Sequence, residues 1–500
     1  MDISQRVIDI FKAIAQVPRQ SKHDEKIAAW LVERAKNNGF KVERDAANNV
    51  IMHVPATPGY EHAPIIILQG HMDMVCEKTP DSTHNFDTDP IEVIIEDGWM
   101  HANKTSLGAD DGLGVALALA MAEDPNVEHP ELEILVTSDE ETGMTGATAL
   151  LPEQLKGRIL LNLDSEDEGI FTIGCAGGRE TVSTLDLELA SVPANYSTVS
   201  VHVSGLLGGH SGCEINCGRA SAIKLCTRIL SKIQAICDSA MLCDIKGGSA
   251  HNAIPRDASF SIVVPKACVD KVVDCANAMG KCFALEYAKT DAGVTLETHV
   301  SDAPATAYST NALRRLTDLL FVYPHGVQAM SQEVAGLVET SDNLASVKIE
   351  QDKLRLLSSQ RSSVASKLDA ITNRIEACVR LAGGVAKSNE GYPSWQPKID
   401  SDLLKRCVET YKTRFGREPI INIIHAGLEC GLIGDKIADM DMVSFGPTVV
   451  SPHSPKERAE MATIPMVANF LVDLLKSYRL FMRQGGGIPR FPYLPAIPKY

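Results

Sequence analysis

Five short segments combine acidic residues, histidines and glycines in spacings that suit metal chemistry. They are residues 70–73 (GHMD), 107–114 (LGADDGLG), 137–143 (TSDEETG), 161–166 (LNLDSE) and 445–455 (FGPTVVSPHSP). Most of them follow runs of apolar residues that we predict to be buried strands. Because ligand sites in open α/β sheets gather at the carboxyl ends of the strands, we expect these segments to meet there.

The first two segments each offer a pair of candidate ligands. His71 and Asp73 point to the same side of an extended chain, which suits a histidine metal ligand and the carboxylate that orients it. A surface histidine beside an acid in a turn is the alternative for this motif alone. Asp110 and Asp111 lie between glycines that allow a close approach of the backbone to a ligand, although capping of the following helix would also explain them.

The remaining segments add further carboxylates and a second histidine. Asp139, Glu140 and Glu141 are consecutive acids that repel one another unless a cation or a raised pKa relieves the repulsion. Adjacent carboxylates of this kind can divide the work, one binding metal while the other handles protons. A solvated turn is the alternative. Asp164 ends another apolar run, whereas His453, between two prolines, by itself indicates only a structural role.

Taken together, two imidazoles and three carboxylates lie at or near predicted strand ends. They belong to His71, Asp110, Glu141, Asp164 and His453. Such a set suits a borderline metal such as zinc, with one carboxylate bridging a pair of ions. Three carboxylates and a bound hydroxide would balance the charge of about +4 that two zinc ions bring.

Apolar periodicity predicts the elements that position these residues. We predict helices over 4–17, 24–38, 112–124 and 146–155, and strands over 65–68, 132–137 and 159–163. Alternating helices and apolar strands predict an α/β fold, with a mixed, largely parallel sheet between helices on both faces.

The pattern of predicted helices and strands changes near residue 185 and changes back near residue 390, which predicts an inserted domain. In this domain we predict strands over 198–203, 260–264 and 346–349 and helices over 220–236 and 363–381. We predict a Ser- and Arg-rich turn before the last of these helices. After the inserted domain we predict helices over 401–415 and 457–478 and strands over 419–424 and 441–445. We therefore predict a catalytic domain in two parts (1–186 and 391–483), an α/β lid over 187–390 that duplication of a small unit would explain, and a proline-rich tail over 484–500.

The composition disfavours several other classes of protein. The 500 residues, 44% of them hydrophobic and 22% charged, suit a globular enzyme of several domains. A formal charge of −16 disfavours a general nucleic-acid binder, because phosphate contacts need clustered basic residues. No apolar run approaches the ~20 residues that span a bilayer, and the N-terminal residues do not resemble a signal peptide. Thirteen cysteines without a disulfide framework predict reduced thiols and a cytoplasmic protein.

Nine motifs, spread over nearly the whole chain, carry a resemblance to a known family. They are QGHMDMV (69–75), TSLGADDGLG (105–114), DEETGMTGA (139–147), LDSEDEG (163–169), GCAGG (174–178), GGHSG (208–212), HNAIPRDA (251–258), HAGLECGL (425–432) and GPTVVSPHSP (446–455). The sequence resembles the co-catalytic dizinc peptidases, which include carboxypeptidase G, aminoacylase, succinyl-diaminopimelate desuccinylase and the carnosinases. Within this family it is most similar to the branch that hydrolyses Xaa-His dipeptides.

The resemblance implies a role for each residue of the predicted metal site. His71 and Asp164 would hold one zinc ion, for which cobalt or manganese could substitute. Glu141 and His453 would hold the second ion, and Asp110 would bridge the two. The peptide bond that follows the bridging acid is often cis in this family.

The resemblance also implies the catalytic and substrate-binding residues. Asp73 would orient its neighbouring histidine ligand, and Glu140 would be the general base. An inserted lid would interrupt the catalytic domain, and its doubled size would let it supply a histidine to the site of its own chain. The implied substrate-binding residues are His210, Asn252, Arg361, Gly427 and Glu429.

The function that follows is hydrolysis of unblocked dipeptides by metal-activated water, with Xaa-His peptides and β-alanyl-histidine among the substrates. An N-acyl amino-acid deacylase, or a broader di- and tripeptidase, is the alternative on the same scaffold. A metal-binding protein without catalysis belongs to another class, and the complete ligand set argues against it. We expect no nucleic-acid or membrane partner, and either a monomer or a homodimer.

Overall fold

The computed structural model describes residues 2–332, 334 and 336–479, so the predicted proline-rich tail lies outside the described residues. The first sheet has eight strands, in the spatial order Lys41–Arg44, Val50–Val54, Leu132–Thr137, Ile66–His71, Ile159–Asn162, Asp441–Ser444, Ile170–Cys175 and Ile420–Ile424. The central strand Ile66–His71 runs parallel to both of its neighbours. The predicted α/β fold with a mixed sheet is confirmed.

Both faces of this sheet are buried beneath helices. Ile66 and Leu68 pack on one face, and Ile67, between them, packs on the other. Burial on both sides explains why the strand is apolar at successive positions. The helices on the first side are Ile3–Ile14, Glu25–Asn37, Ala109–Glu123, Asp402–Phe415 and Thr463–Lys476, and those on the second side are Thr145–Ala149 and Glu429–Lys436.

The second sheet is antiparallel among the described residues and lies in the inserted segment. Its main strands, in spatial order, are Thr295–Asp302, Tyr196–Ser204, Ala258–Pro265, Met241–Gly247, Val338–Glu350, Lys353–Ser362, Gly177–Asp186 and Val385–Ser388. The short strands Leu189–Ser191, Thr306–Tyr308 and Gly326–Met330 pair at its margins. A separate hydrophobic core lies between this sheet and the helices Ala222–Ile236, Val269–Glu286, Thr310–Val322 and Ala365–Leu381.

The chain crosses between the two sheets at two adjacent places. Cys175 pairs with Trp395, and Gly178 pairs with Tyr392, so the outgoing and returning segments lie side by side. The strand Gly177–Asp186 belongs to the second sheet, although the predicted boundary at residue 186 assigns it to the catalytic part. The domain limits remain a proposal, and this pairing favours a lid that begins near residue 177.

Three predicted elements differ most from the structure. The Ser- and Arg-rich segment before residue 363, predicted as a turn, lies in the strand Lys353–Ser362. The helix predicted from residue 457 begins only at Thr463, because Arg458–Glu460 pairs with Trp99–Ala102 in a four-stranded sheet that also contains Val449–Val450 and Val93–Glu96. The helix predicted over 146–155 ends at Ala149, and a 3₁₀ turn follows at Pro152–Gln154.

Among the residues that the structure describes, no helix has the length and apolar character that crossing a membrane requires.

Candidate active site

His71 ends the central strand of the first sheet and is 1% exposed. Its Nδ1 lies 3.3 Å from Asp73 Oδ1. Its Nε2 lies 3.1 Å from Asp110 Oδ1 and 3.3 Å from Asp164 Oδ1. Asp73 is held in turn by the backbone N–H of Glu140, at 2.9 Å. Asp73 therefore orients the imidazole ring, and the opposite ring nitrogen faces two carboxylates.

Asp110 lies between two imidazole rings. Its Oδ1 faces His71, and its Oδ2 lies 3.0 Å from His453 Nε2. The peptide bond between Asp110 and Asp111 is cis, as the resemblance implies. Asp111 is tied to the central strand, since its Oδ2 accepts a hydrogen bond from the backbone N–H of His71 at 3.1 Å. Each of the two acids thus has a separate place in the site.

Glu141 completes the cluster from the short helix Glu140–Gly143, which follows a central strand. Its Oε2 lies 3.0 Å from His453 Nε2. One ligand atom from each of His71, Asp110 and Glu141 lies within 4.8 Å of the others. The structure therefore brings together all five residues that the sequence predicts as metal ligands.

The charges of this cluster fit divalent cations. Burial disfavours the charged form of His453, but hydrogen bonds with Asp110 and Glu141 outweigh it and raise the pKa of His453 to about 11. Burial raises the pKa of Asp164 to about 7, and the charge of His71 opposes this rise. In the metal-free chain, protons on the imidazoles therefore balance the carboxylates. A pair of metal ions would replace those protons.

Glu140 precedes a predicted ligand and lies beside the cluster. Burial raises the pKa of Glu140 well above its usual range, and the carboxylates of Asp164 and Glu141 add to the rise while His71 opposes it. A carboxyl group with a raised pKa holds a proton more readily than an exposed one, which suits a group that takes up and releases a proton.

His210 lies in a lid loop and is held in one tautomer. Its Nδ1 accepts hydrogen bonds from the backbone N–H groups of Gly212, at 3.3 Å, and Cys213, at 3.1 Å. The proton of the neutral ring is therefore on Nε2. Burial, and then the charge of Arg361, lower the pKa of His210 to about 4. His210 is thus an uncharged hydrogen-bond donor at neutral pH.

Asn252 lies close to His210 in the lid. Both line a cleft of about 700 Å³, and the backbone oxygen of Asn252 accepts a hydrogen bond from the N–H of Ser211 at 2.8 Å. Gly427 lies in the catalytic domain, where a Cβ atom would approach Cε2 of Tyr392 to 2.7 Å. Only a glycine therefore lets these two segments approach so closely.

Arg361 is a buried cation in the lid strand Lys353–Ser362, with 7% of its surface exposed. Its Nη1 donates a hydrogen bond to the hydroxyl oxygen of Tyr392 at 2.9 Å, and its Nε has no hydrogen-bond partner among residues 2–332, 334 and 336–479. Within the described residues, no carboxylate lies within 4.0 Å of the guanidinium. Because an unpaired buried charge is costly, this arrangement suits the binding of an anion.

Glu429 lies beneath the cluster and is fully buried. Its Oε2 accepts hydrogen bonds from Gln69 Nε2 and Thr137 Oγ1, each at 2.6 Å. Burial raises the pKa of Glu429 to about 8. Here the carboxyl group supports the strand that ends at His71 and the strand that precedes Glu140, and its contact with a peptide stays a prediction.

Two residues that the sequence analysis missed hold the ligand-bearing loops. Glu457 accepts hydrogen bonds from the backbone N–H groups of residues 107–110, at 2.7, 2.9, 2.7 and 3.3 Å. The guanidinium of Arg19 donates to the backbone oxygens of Met72, Asp73 and Gly108. Glu457 follows the predicted ligand His453 by four residues, which is a usable signal, whereas the sequence around Arg19 offers none.

Comparison with known proteins agrees with this geometry. Residues 67–477 match the model of peptidase family M20/M25/M40. The chain belongs to this family. It is accordingly a hydrolase that acts on peptide bonds, as the resemblance predicts.

Two relatives match nearly the whole chain. The cytosol non-specific dipeptidase of Escherichia coli is 38% identical over 472 residues, which are 94% of this chain and 97% of that protein. The crystal structure of aminoacylhistidine dipeptidase from Vibrio alginolyticus superposes with a TM-score of 0.84 at 38% identity, covering 95% of this chain and 98% of that one. A tripeptidase from Staphylococcus aureus, with a TM-score of 0.54 at 16% identity over 95% and 98% of the two chains, shares the fold alone.

Proposed function

We propose that this member of the family is a dinuclear metallodipeptidase that hydrolyses unblocked dipeptides of the Xaa-His type, β-alanyl-histidine-like peptides included. The observation that carries the proposal is the convergence of two imidazoles and three carboxylates at the carboxyl ends of the central strands. The names of both full-length relatives support a dipeptide substrate, and the name of the Vibrio alginolyticus relative, aminoacylhistidine dipeptidase, supports the Xaa-His type.

Two zinc ions are the proposed metals, with cobalt or manganese as substitutes. His71 and Asp164 would hold one ion, and Glu141 and His453 the other. Asp110, which faces both imidazoles, would bridge the pair. When bound, the ions supply a water of near-neutral pKa and positive charge at the scissile carbonyl.

Three side chains carry out the proposed proton transfer and charge stabilisation. Glu140 takes a proton from the attacking water and gives it to the leaving amine nitrogen as the peptide bond breaks. Asp73 keeps the ring of His71 in one orientation and also holds the backbone N–H of Glu140. His210, uncharged with its proton on Nε2, donates a hydrogen bond to the carbonyl oxygen that becomes negative.

The lid and a catalytic loop would hold the dipeptide. Arg361 binds its C-terminal carboxylate, a role that the burial of this guanidinium without an acidic partner supports. Asn252 and Gly427 bind neighbouring peptide atoms, and Glu429 acts from beneath the same loop. Closure of the lid would exclude water and order the substrate.

The test is hydrolysis of free dipeptides, Xaa-His peptides among them, and of their N-acetylated forms, with and without a chelator and after zinc readdition. We expect chelator-sensitive cleavage of the free dipeptides only, with recovery on adding zinc. Cleavage of the acetylated peptides would instead indicate an N-acyl amino-acid deacylase, and cleavage of tripeptides a broader peptidase. Absence of turnover with bound metal would contradict the enzymatic function.

We also propose a cytoplasmic location, which the name of the Escherichia coli relative supports. The proposed assembly is a monomer or a homodimer, with a dipeptide as substrate and no nucleic-acid or membrane partner.

A further inference from the structure

Tyr392 lies where the chain returns from the lid to the catalytic domain. Its backbone N–H donates to Gly178 O at 2.9 Å, and the N–H of Gly178 donates to Tyr392 O at 3.1 Å. Gly178 belongs to the strand Gly177–Asp186, through which the chain enters the lid sheet. Tyr392 is therefore fixed at the junction of the outgoing and returning segments.

The ring of Tyr392 fills space that two glycines leave open. A Cβ atom on Gly427 would lie 2.7 Å from its Cε2, and one on Gly178 would overlap its phenol group. Gly178 and Arg361 face each other across adjacent strands of the lid sheet. Because Gly178 has no side chain, the phenol ring of Tyr392 fits beside the guanidinium of Arg361. The same ring contacts Gly427 in the catalytic domain.

The hydroxyl oxygen of Tyr392 is the one hydrogen-bond acceptor that the Arg361 side chain contacts within the described part of the chain. Arg361 Nε is buried and has no hydrogen-bond partner among the residues that the structure describes, so donors remain for an anionic group. A carboxylate in place of the phenol would cancel the charge of the guanidinium. Burial raises the pKa of Tyr392, so this partner orients Arg361 without neutralising it.

A second contact across the domains supports the same strand. Ser341 lies opposite Arg361 in the sheet, and its Oγ lies 2.7 Å from Nε2 of His425 in the catalytic domain. The strand pair that carries the guanidinium is therefore tied to the catalytic domain at Ser341 and at Tyr392.

We propose that Tyr392 is a positioning residue that holds Arg361 for the C-terminal carboxylate of the dipeptide, and that it thereby determines the preference for substrates with a free carboxylate. The inference rests on the proposed function, which assigns that carboxylate to Arg361.

The test compares the Tyr392→Phe variant with the parent enzyme on alanyl-histidine and on alanyl-histidine amide. Phenylalanine keeps the ring against Gly178 and Gly427 and removes only the hydroxyl group. For the free dipeptide we expect KM to rise about five- to tenfold, less than the full value of a hydrogen bond to a charged group because Tyr392 acts through Arg361, while kcat changes less than about twofold. The kcat/KM for the amide should be unchanged.

Two further variants make the result specific. Tyr411→Phe removes a hydroxyl group that donates to Glu168 at 2.6 Å and bonds neither to Arg361 nor to a proposed ligand, so it should alter the kinetics of neither substrate. Arg361→Lys should raise KM for the free dipeptide strongly. Because Tyr392 acts through Arg361, the double variant should have the KM of Arg361→Lys alone.

Distinct outcomes separate the inference from the function on which it rests. If Arg361→Lys raises KM and Tyr392→Phe does not, the role of Tyr392 is wrong and the carboxylate site stands. Equal losses on dipeptide and amide, or additive effects in the double variant, would also overturn the role of Tyr392. If Arg361→Lys leaves KM unchanged, the carboxylate assignment in the proposed function fails, and the inference fails with it.

Discussion

The carboxylate of Glu457 accepts a hydrogen bond from the backbone N–H of Asp110, the last of four such bonds with residues 107–110. Glu457 is 2% exposed, so these bonds are shielded from water. His453 precedes Glu457 by four residues in the same segment. One buried carboxylate therefore fixes the relative positions of two segments that carry proposed metal ligands.

We expect Glu457→Gln to weaken metal binding by about 10- to 100-fold, as is usual when a group that orients a ligand is lost. The amide nitrogen of glutamine would face backbone N–H donors, so the loop before Asp110 would shift. Metal affinity is measured by competition with a chelator of known affinity, with metal content determined after equilibration.

Glu133→Gln is the matched control for this prediction. Glu133 is also fully buried and also accepts backbone hydrogen bonds, from Lys156 and Gly157 at 2.9 to 3.1 Å, but it lies at the opposite end of the sheet. The Glu133→Gln substitution should lower the unfolding temperature and leave metal affinity unchanged. Equal metal affinities for the Glu457→Gln and Glu133→Gln variants would show that the contact with Glu457 does not govern the site.

Glu140→Gln should retain both metals and lose about 10²- to 10⁴-fold in kcat, the usual contribution of a general base. The substitution keeps the shape of the side chain and the backbone bond to Asp73, and removes the group that exchanges the proton. Metal content and kcat are measured on the same sample, with Glu153→Gln on the exposed turn Pro152–Gln154 as control. Turnover close to that of the parent would rule out Glu140 as the base.

Metal binding to the protein should release protons when a chelator has first removed the metal. Despite burial, Asp110 and Glu141 raise the pKa of His453 to about 11, so this ring is protonated at pH 7 in the metal-free chain. A metal ligand must be the neutral imidazole, so binding displaces the proton and affinity falls as the pH is lowered. Titration calorimetry in buffers of different ionisation enthalpy counts the protons. His453→Gln should reduce the count by about one, and an unchanged count would contradict the prediction.

Three of the proposed ligands, His71, Glu141 and Asp164, could be predicted because each lies at or shortly beyond the end of a central strand whose apolar run is visible in the sequence. Asp110 lies at the start of the helix Ala109–Glu123 and His453 well beyond the strand Asp441–Ser444, so these two could be predicted only from the residue types of their own segments. Parallel central strands bring those ends to one edge, so local patterns determine a non-local cluster. Arg19 and Glu457 could not be found in this way. Their partners are backbone groups, and Glu457 is separated from Leu107 by 350 positions.

The segment predicted as a turn shows a second limit of pattern analysis. Ser358, Gln360 and Ser362 are buried polar side chains in the strand Lys353–Ser362. They are accommodated by hydrogen bonds within the lid, such as that of Gln360 Nε2 with Asp342 Oδ1 at 2.9 Å. Hydrophobic periodicity detects strands that bury apolar groups, so a strand buried through hydrogen bonds is mistaken for an exposed turn.

His425 should make the protein less stable in mild acid. Burial, and then the charges of Arg361 and His210, lower the pKa of His425 to about 3. Between pH 6.5 and that value, the unfolded chain binds a proton at this position and the folded chain does not, so stability falls as pH falls. The loss from pH 7 to pH 5 should be about 2 kcal/mol. Urea unfolding of the metal-free protein at pH 7 and at pH 5 measures this loss in the free energy of unfolding.

His425→Gln should remove this part of the pH dependence, because glutamine does not titrate and can still bond to Ser341 Oγ. His299→Gln, at an exposed position of the lid, is the control and should keep the slope of the parent. Comparison of the three proteins cancels the contributions of the other histidines and of the metal-site carboxylates. An unaltered difference between pH 7 and pH 5 in His425→Gln would mean that the imidazole of His425 takes up its proton without disturbing the contact between lid and catalytic domain.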